Sequence, residues 1–176
     1  MSAVIPPELQ QLLDRQQIQD VLTRYSRAVD RADLDLLRGC YHADATEEHG
    51  GVFSGSAQDY LAQIGPMLPR AGTLNHLLMN VLVEFDGPLA ANVEAYILTF
   101  ARMKKDGEKF DTLTLARAVD RFEKRDGRWA ISRRRLCWEW NHDMPMQETW
   151  GRGLIAPDPT KLVRSAKRPL DILYRT

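Results

Sequence analysis

Cysteine is nearly absent from this 176-residue chain. Cys40 and Cys137 are its only two, too few and too isolated for a disulfide framework or a thiolate zinc site, and such usage fits a reducing cytoplasm. Long apolar runs are missing as well. No stretch approaches the about 20 residues of a membrane span, and Met1-Ser2-Ala3-Val4-Ile5-Pro6-Pro7 shows no basic region followed by an apolar one. The expectation is a soluble, cytoplasmic protein without membrane contact. Neither sign of charge is in excess. Lys and Arg total 24 and so do Asp and Glu, which removes the long-range pull of nucleic acid or an acidic membrane and leaves a small, mildly polar molecule as the fitting partner.

Several chemistries fall away for want of their residues. His42, His49, His76 and His142 never stand at the i, i+4 spacing of a helical zinc pair, and no cysteine pair or carboxylate cluster completes a metal site. A bound metal is therefore not expected. A glycine-rich phosphate loop is lacking, Gly51 to Ser56 departs from the G-x-S-x-G nucleophile elbow, and the basic residues are dispersed without an RNA-recognition motif. Nucleotide use, serine hydrolysis and nucleic-acid binding are set aside.

What is present is a change of period along the chain. Pro6 and Pro7 open a helix that runs to about Asp30, with Ile18, Val21, Leu22, Tyr25, Ala28 and Val29 on one face. Asp33 caps a short second helix reaching toward Tyr41, which Gly39 weakens. Asp44 to Phe53 reads as extended, with Glu47 and His49 alternating onto one face, and Ser54 or Ser56 caps a third helix through Tyr60 to Leu68 that Gly65-Pro66 ends or kinks. From Thr73 four long strands follow: Leu74 to Phe85, Asn92 to Lys104, Phe110 to Lys124 and Arg128 to Trp140. Asp86-Gly87-Pro88, Asp106-Gly107 and Asp126-Gly127 separate them as turns. Helices first and an antiparallel meander afterwards make an α+β domain with helices on one face of a curved sheet, over residues 1–140. Residues 141–176, interrupted by Pro145, Pro157, Pro159 and Pro169, form a tail that covers the domain or reaches a neighbouring subunit.

The candidate site residues come from the inward faces. His76 shares a strand face with Leu74, Leu78, Asn80 and Leu82, which makes it one imidazole among leucines. Tyr25 lies on the buried stripe of the first helix, and Asp30 sits about 140° around that helix from it, so the two converge only if the last turn loosens. In the last strand Arg133, Arg135, Cys137 and Glu139 share one face, and Arg134, Leu136, Trp138 and Trp140 the other. Arg133 or Arg135 is the expected arginine in the concavity, where a guanidinium fork would hold an anionic or carbonyl oxygen.

The stretches RYSRAVDRADLDLLRGCYHADA, GSAQDYLAQI, LNHLLMN and DRFEKRDGRWAISRR, in that order and spacing, resemble the SnoaL-like branch of the nuclear transport factor 2-like superfamily across Glu8 to Trp140. The resemblance implies a cone-shaped, cystatin-like barrel of curved antiparallel sheet wrapped around helices, an apolar pocket, and a homodimer or homotrimer built through the outer sheet face. Within that branch the chain looks like the cofactor-free lyases, namely scytalone dehydratase, hexachlorocyclohexane dehydrochlorinase and bile-acid 7α-dehydratase. Asp30 and His76 fall where those enzymes carry their pocket aspartate and catalytic histidine, and Tyr25 matches the tyrosine of the bile-acid enzyme. His49 falls near a pocket tyrosine of that enzyme, with Glu47 beside it. Thr99 stands where that enzyme has a further aspartate, and Met103 near a second histidine of scytalone dehydratase, so neither of those substrates is implied. His76 is then the expected general base, Asp30 its orienting carboxylate and Tyr25 a hydrogen-bond donor, with His49, Glu47, Thr99, Arg133 and Arg135 toward the substrate. The expected reaction is a dehydratase-type β-elimination on a small aromatic, steroid-like or polyketide-like molecule. The same fold leaves open an aryl γ-formaldehyde lyase, a ketosteroid-type isomerase, and a non-catalytic binding protein or dioxygenase small subunit.

Overall fold

The computed structural model describes residues 5–148, 158 and 160–175. Helix α1 (Pro7–Arg31) begins on a proline whose missing N–H would have had no helical partner, and it stops where Ala32 turns left-handed at φ 56°. Its apolar stripe, Ile18, Val21, Leu22, Tyr25, Ala28 and Val29, is buried. Burial of that kind contributes about 1.5–3 kcal/mol for each large side chain. Helix α2 (Leu34–Arg38) is capped by Asp33, whose carboxylate accepts from the Leu36 N–H. It ends earlier than the sequence pattern proposes, because Tyr41 opens strand β1 (Tyr41–His49) instead of closing the helix. Strand β2 (Ser54–Ser56) leads into α3 (Ala57–Ile64), capped by Ser56, whose hydroxyl accepts from the Asp59 N–H at 3.0 Å. Gly65 then ends that helix.

Strands β3 (Leu74–Phe85), β4 (Ala90–Lys105), β5 (Glu108–Arg125) and β6 (Arg128–Pro145) form the expected meander. Both two-residue turns, Asp106-Gly107 and Asp126-Gly127, have positive φ at each position, the mirror-image turn that matches strand twist. Strand β6 runs on to Pro145, beyond Trp140, because the start of β5 pairs with it as far as Phe110 opposite Pro145. The sheet order is β2-β1-β6-β5-β4-β3. One pairing within it, β1 against β6, is parallel. The sheet curls without closing, and α1 packs against β3 on the hollow side, in the α+β, cystatin-like arrangement that the sequence suggests. No described helix is long and apolar enough to cross a membrane.

Irregularities in the ladders set which residues face inward. The β3–β4 register shifts between Met79 and Leu82, where Asn80 has φ 44°. Leu74, His76 and Leu78 therefore keep the expected inward face, but Val81, Val83 and Phe85 take it over, and Leu82 is exposed. A second shift between Leu115 and Ala116 pairs Trp138 with Ala116 but Trp140 with Leu115, which carries Trp140 to the outer face.

Candidate active site

Helix α1 delivers Asp30 to the free edge of β3. There its carboxylate accepts the His76 backbone N–H at 3.0 and 3.2 Å, and the His76 ring Nδ1 lies 2.6 Å from Oδ1. Three contacts thus fix one carboxylate against one residue. The helix end is itself tied down from the tail: Lys167 Nζ donates to the Asp30 carbonyl at 2.9 Å and the Arg168 N–H to the Arg31 carbonyl at 2.7 Å. Both carbonyls belong to the last turn, which has no intrahelical donors for them. With Nδ1–H given to Asp30, a neutral His76 ring keeps its lone pair on Nε2. Thr99 lies directly across on β4, followed by Thr114 on β5, so the ring stands on a floor of small polar side chains.

A second cluster occupies the other end of the concave face. Glu47, fully buried, accepts the Tyr41 hydroxyl at 2.7 Å and holds His49 Nδ1 at 2.8 Å. The His49 ring stacks on Tyr60 with centroids 4.9 Å apart and meets the Trp138 edge at 5.7 Å. Next in the row is Arg134, also fully buried, with a two-point ion pair to Asp120 at 2.9 and 2.6 Å and its guanidinium carbon 4.0 Å from the centre of the Tyr25 ring. Burial works against the Arg134 charge, but the Asp120 carboxylate outweighs it and holds the guanidinium protonated well above its ordinary value. Burial also pushes the Tyr25, Tyr41 and Tyr60 phenols up, so all three stay hydrogen-bond donors. Arg134 Nη1 has no hydrogen-bond partner among the described residues.

Helix α1 does not loosen at its end, so Tyr25 and Asp30 remain about 140° apart and serve different neighbours. Tyr25 supports Arg134 while Asp30 meets His76. Five residues of helix rise only about 7.5 Å, which hangs both clusters from one and a half turns. Three expectations need correction. Arg133 and Arg135 are exposed, Arg135 being paired with Glu48 at 2.7 Å, and it is Arg134 between them that enters the interior. Alternation with buried Leu136 is the signal that places Arg134 inside. Glu47 is sealed behind His49 with both oxygens engaged, so it orients that ring and has no surface for a ligand. Asp120, Tyr60 and Trp138 were not legible as site residues, since each is defined by a partner on another element, and Tyr41 was read as the end of the second helix and not as a neighbour of Glu47 on β1. Among the described residues no three His, Cys, Asp or Glu side chains converge as a metal ion would require.

The family profile of the SnoaL-like domain matches residues 10–135. No curated protein is similar enough in sequence to match. Among solved structures, a hexachlorocyclohexane dehydrochlorinase (LinA) type 2 superposes with TM-score 0.71 at 19% identity, over 88% of this chain and 99% of that one. A putative scytalone dehydratase from Novosphingobium aromaticivorans gives 0.69 at 20%, over 78% and 92%. A protein of cystatin-like fold from Nostoc punctiforme gives 0.59 at 17%, over 72% and 92%. At these identities the likeness is one of fold. Taken with the profile match across most of the chain, the curled sheet over α1 leads to one assignment: the chain belongs to the SnoaL-like domain family.

Proposed function

We propose that the protein is a cofactor-independent lyase that removes the elements of water from a small aromatic or otherwise apolar carbonyl compound by β-elimination. The contact that carries this reading is His76 Nδ1 to Asp30 Oδ1 at 2.6 Å. A carboxylate on one ring nitrogen sets the tautomer, leaves Nε2 as the base for a proton next to the carbonyl, and stabilises the imidazolium that forms. Two of the neighbours carry names that denote eliminations, a dehydrochlorinase and a putative scytalone dehydratase, which supports the reaction class.

Proton removal is testable without the natural substrate. In deuterium oxide the protein should exchange the α-protons of propiophenone, followed by NMR, and His76→Ala should slow that exchange by a factor on the order of 10²–10⁴, the range general base catalysis supplies. Exchange unaltered by the substitution would reject the reading.

We also assign self-association to the outer sheet face. Leu77, Leu98, Leu115 and Trp140 form one row across four strands there, with Leu77 and Trp140 each 49% exposed. Light scattering should return a dimer or trimer mass, and Leu77→Lys should lower it to one chain; a monomer without any substitution would reject the assignment.

A further inference from the structure

Proton removal needs a base, but a hydroxyl also needs an acid, because hydroxide is a poor leaving group and chloride is not. The concave face holds a second imidazole fixed by a second carboxylate. His49 Nδ1 is 2.8 Å from Glu47, and its Nε2 has a long contact of 3.4 Å with the Tyr60 hydroxyl. The ring keeps 18% of its side-chain surface exposed while Glu47 keeps none. His49 is therefore the wet end of a dry network.

That network is short of positive charge. Asp120, Arg134 and Glu47 stand side by side on β5, β6 and β1, all buried, and they amount to two carboxylates for one guanidinium. An uncompensated charge in such a place is costly, and Tyr41 offers Glu47 a hydrogen bond but no charge. The His49 ring, in contact with the Glu47 carboxylate at 2.8 Å, is where this network meets solvent. The row from His49 across the sheet is Leu136, Ala118 and Ala95, and the row beside it is Trp138, Ala116, Ile97 and Leu78. Three buried alanines thus pave the floor between the His49 rim and the His76 rim.

We propose that His49, oriented by Glu47, is the general acid that protonates the departing group, and that this makes the site selective for hydroxyl over halide as the group lost. The proposal rests on the lyase reading above and gives it a substrate class, a β-hydroxy carbonyl compound. In the step, His76 Nε2 takes the proton from the carbon next to the carbonyl. The electron pair of that C–H bond becomes the new carbon–carbon double bond. The C–O bond breaks toward oxygen, and the oxygen leaves as water with the proton from His49 Nε2. His76 ends one proton richer and His49 one poorer, and solvent restores both.

The test compares two ketones that give the same product, phenyl vinyl ketone: β-hydroxypropiophenone and β-chloropropiophenone. The measured quantity is the ratio of their kcat/KM values. His49→Gln, which can still donate to Glu47, should lower the hydroxy-to-chloro ratio about 10²-fold, the lower end of what a positioned acid contributes. His76→Ala should slow both ketones and leave the ratio where it was. Should His49→Gln lose its fold by circular dichroism, Glu47→Gln is the second variant, and it should move the ratio the same way. A ratio unmoved by the folded variant overturns the proposal alone. Turnover of neither ketone by the unaltered protein overturns the elimination reading and this proposal together.

Discussion

The two histidine–carboxylate pairs are built by different means. Glu47 and His49 are two residues apart on one strand, so extended geometry by itself puts both side chains on one face. Asp30 and His76 are 46 residues apart and meet because a helix crosses the edge of a strand. The local pair is then caged by buried neighbours, Tyr41, Tyr60 and Arg134, and its strength depends on charge balance in a dry interior. The distant pair depends on the position of a helix end, which a backbone N–H of β3 holds from one side and the tail from the other. A contact written locally is safeguarded by its surroundings, whereas a contact written globally has to be held by struts.

Breaking the cage should have the largest effect. Arg134→Met leaves Asp120 and Glu47 buried without their cation and should cost about 3–5 kcal/mol in a urea titration, the usual loss when one partner of a buried ion pair is removed. A loss below 1 kcal/mol would show that the cage is not what stabilises that rim. Asp30→Asn should act on the other pair with much less harm to folding: α-proton exchange should fall on the order of 10²-fold, since the amide cannot stabilise an imidazolium. Retention of full exchange would mean that His76 does not need its carboxylate.

Acid should separate the two regions. Asp33 caps α2 and pairs with Arg168 of the tail at 2.7 Å. Burial acts to raise its pKa, but the Leu36 N–H, the Tyr174 hydroxyl and Arg168 outweigh that and leave it below the ordinary carboxylate value. A folded-state pKa below the unfolded one contributes stability at pH above the unfolded value, and that stability is lost as pH falls through the folded value. Below the ordinary carboxylate range the tail should therefore come away from the end of α1. Amide hydrogen exchange at Arg168 should accelerate there before exchange at the β1 amides does. Simultaneous acceleration would show one cooperative unit instead of a strut and a cage. The smallest effect should follow Arg135→Ala, where an exposed ion pair with Glu48 is lost at the surface: the melting temperature and α-proton exchange should both stay within error. A clear loss of exchange would return Arg135 to the site.

Much of this was legible along the chain. The stripe on α1, the Asp-Gly turns and the pairing of Glu47 with His49 each depend on residues within one element, where spacing translates directly into direction. The choice among Arg133, Arg134 and Arg135 was not, because both faces of β6 carry mixed polarity and the buried one is identified by Asp120 on another strand. The inward run of β3 was legible as far as Leu78 and failed at Asn80, where a positive φ shifts the phase.

Local backbone preferences and the period of apolar residues were enough to set the order of the main elements and the hairpin turns. Long-range packing decided the parallel join of β1 to β6, the phase shifts along the ladders and the burial of Arg134, and it is what brings Asp30 to His76, a meeting that the resemblance implied but no spacing showed. Each of these is a contact between residues far apart in the chain, whose free energy depends on which partner arrives and how much water leaves with it, and no local pattern carries that information.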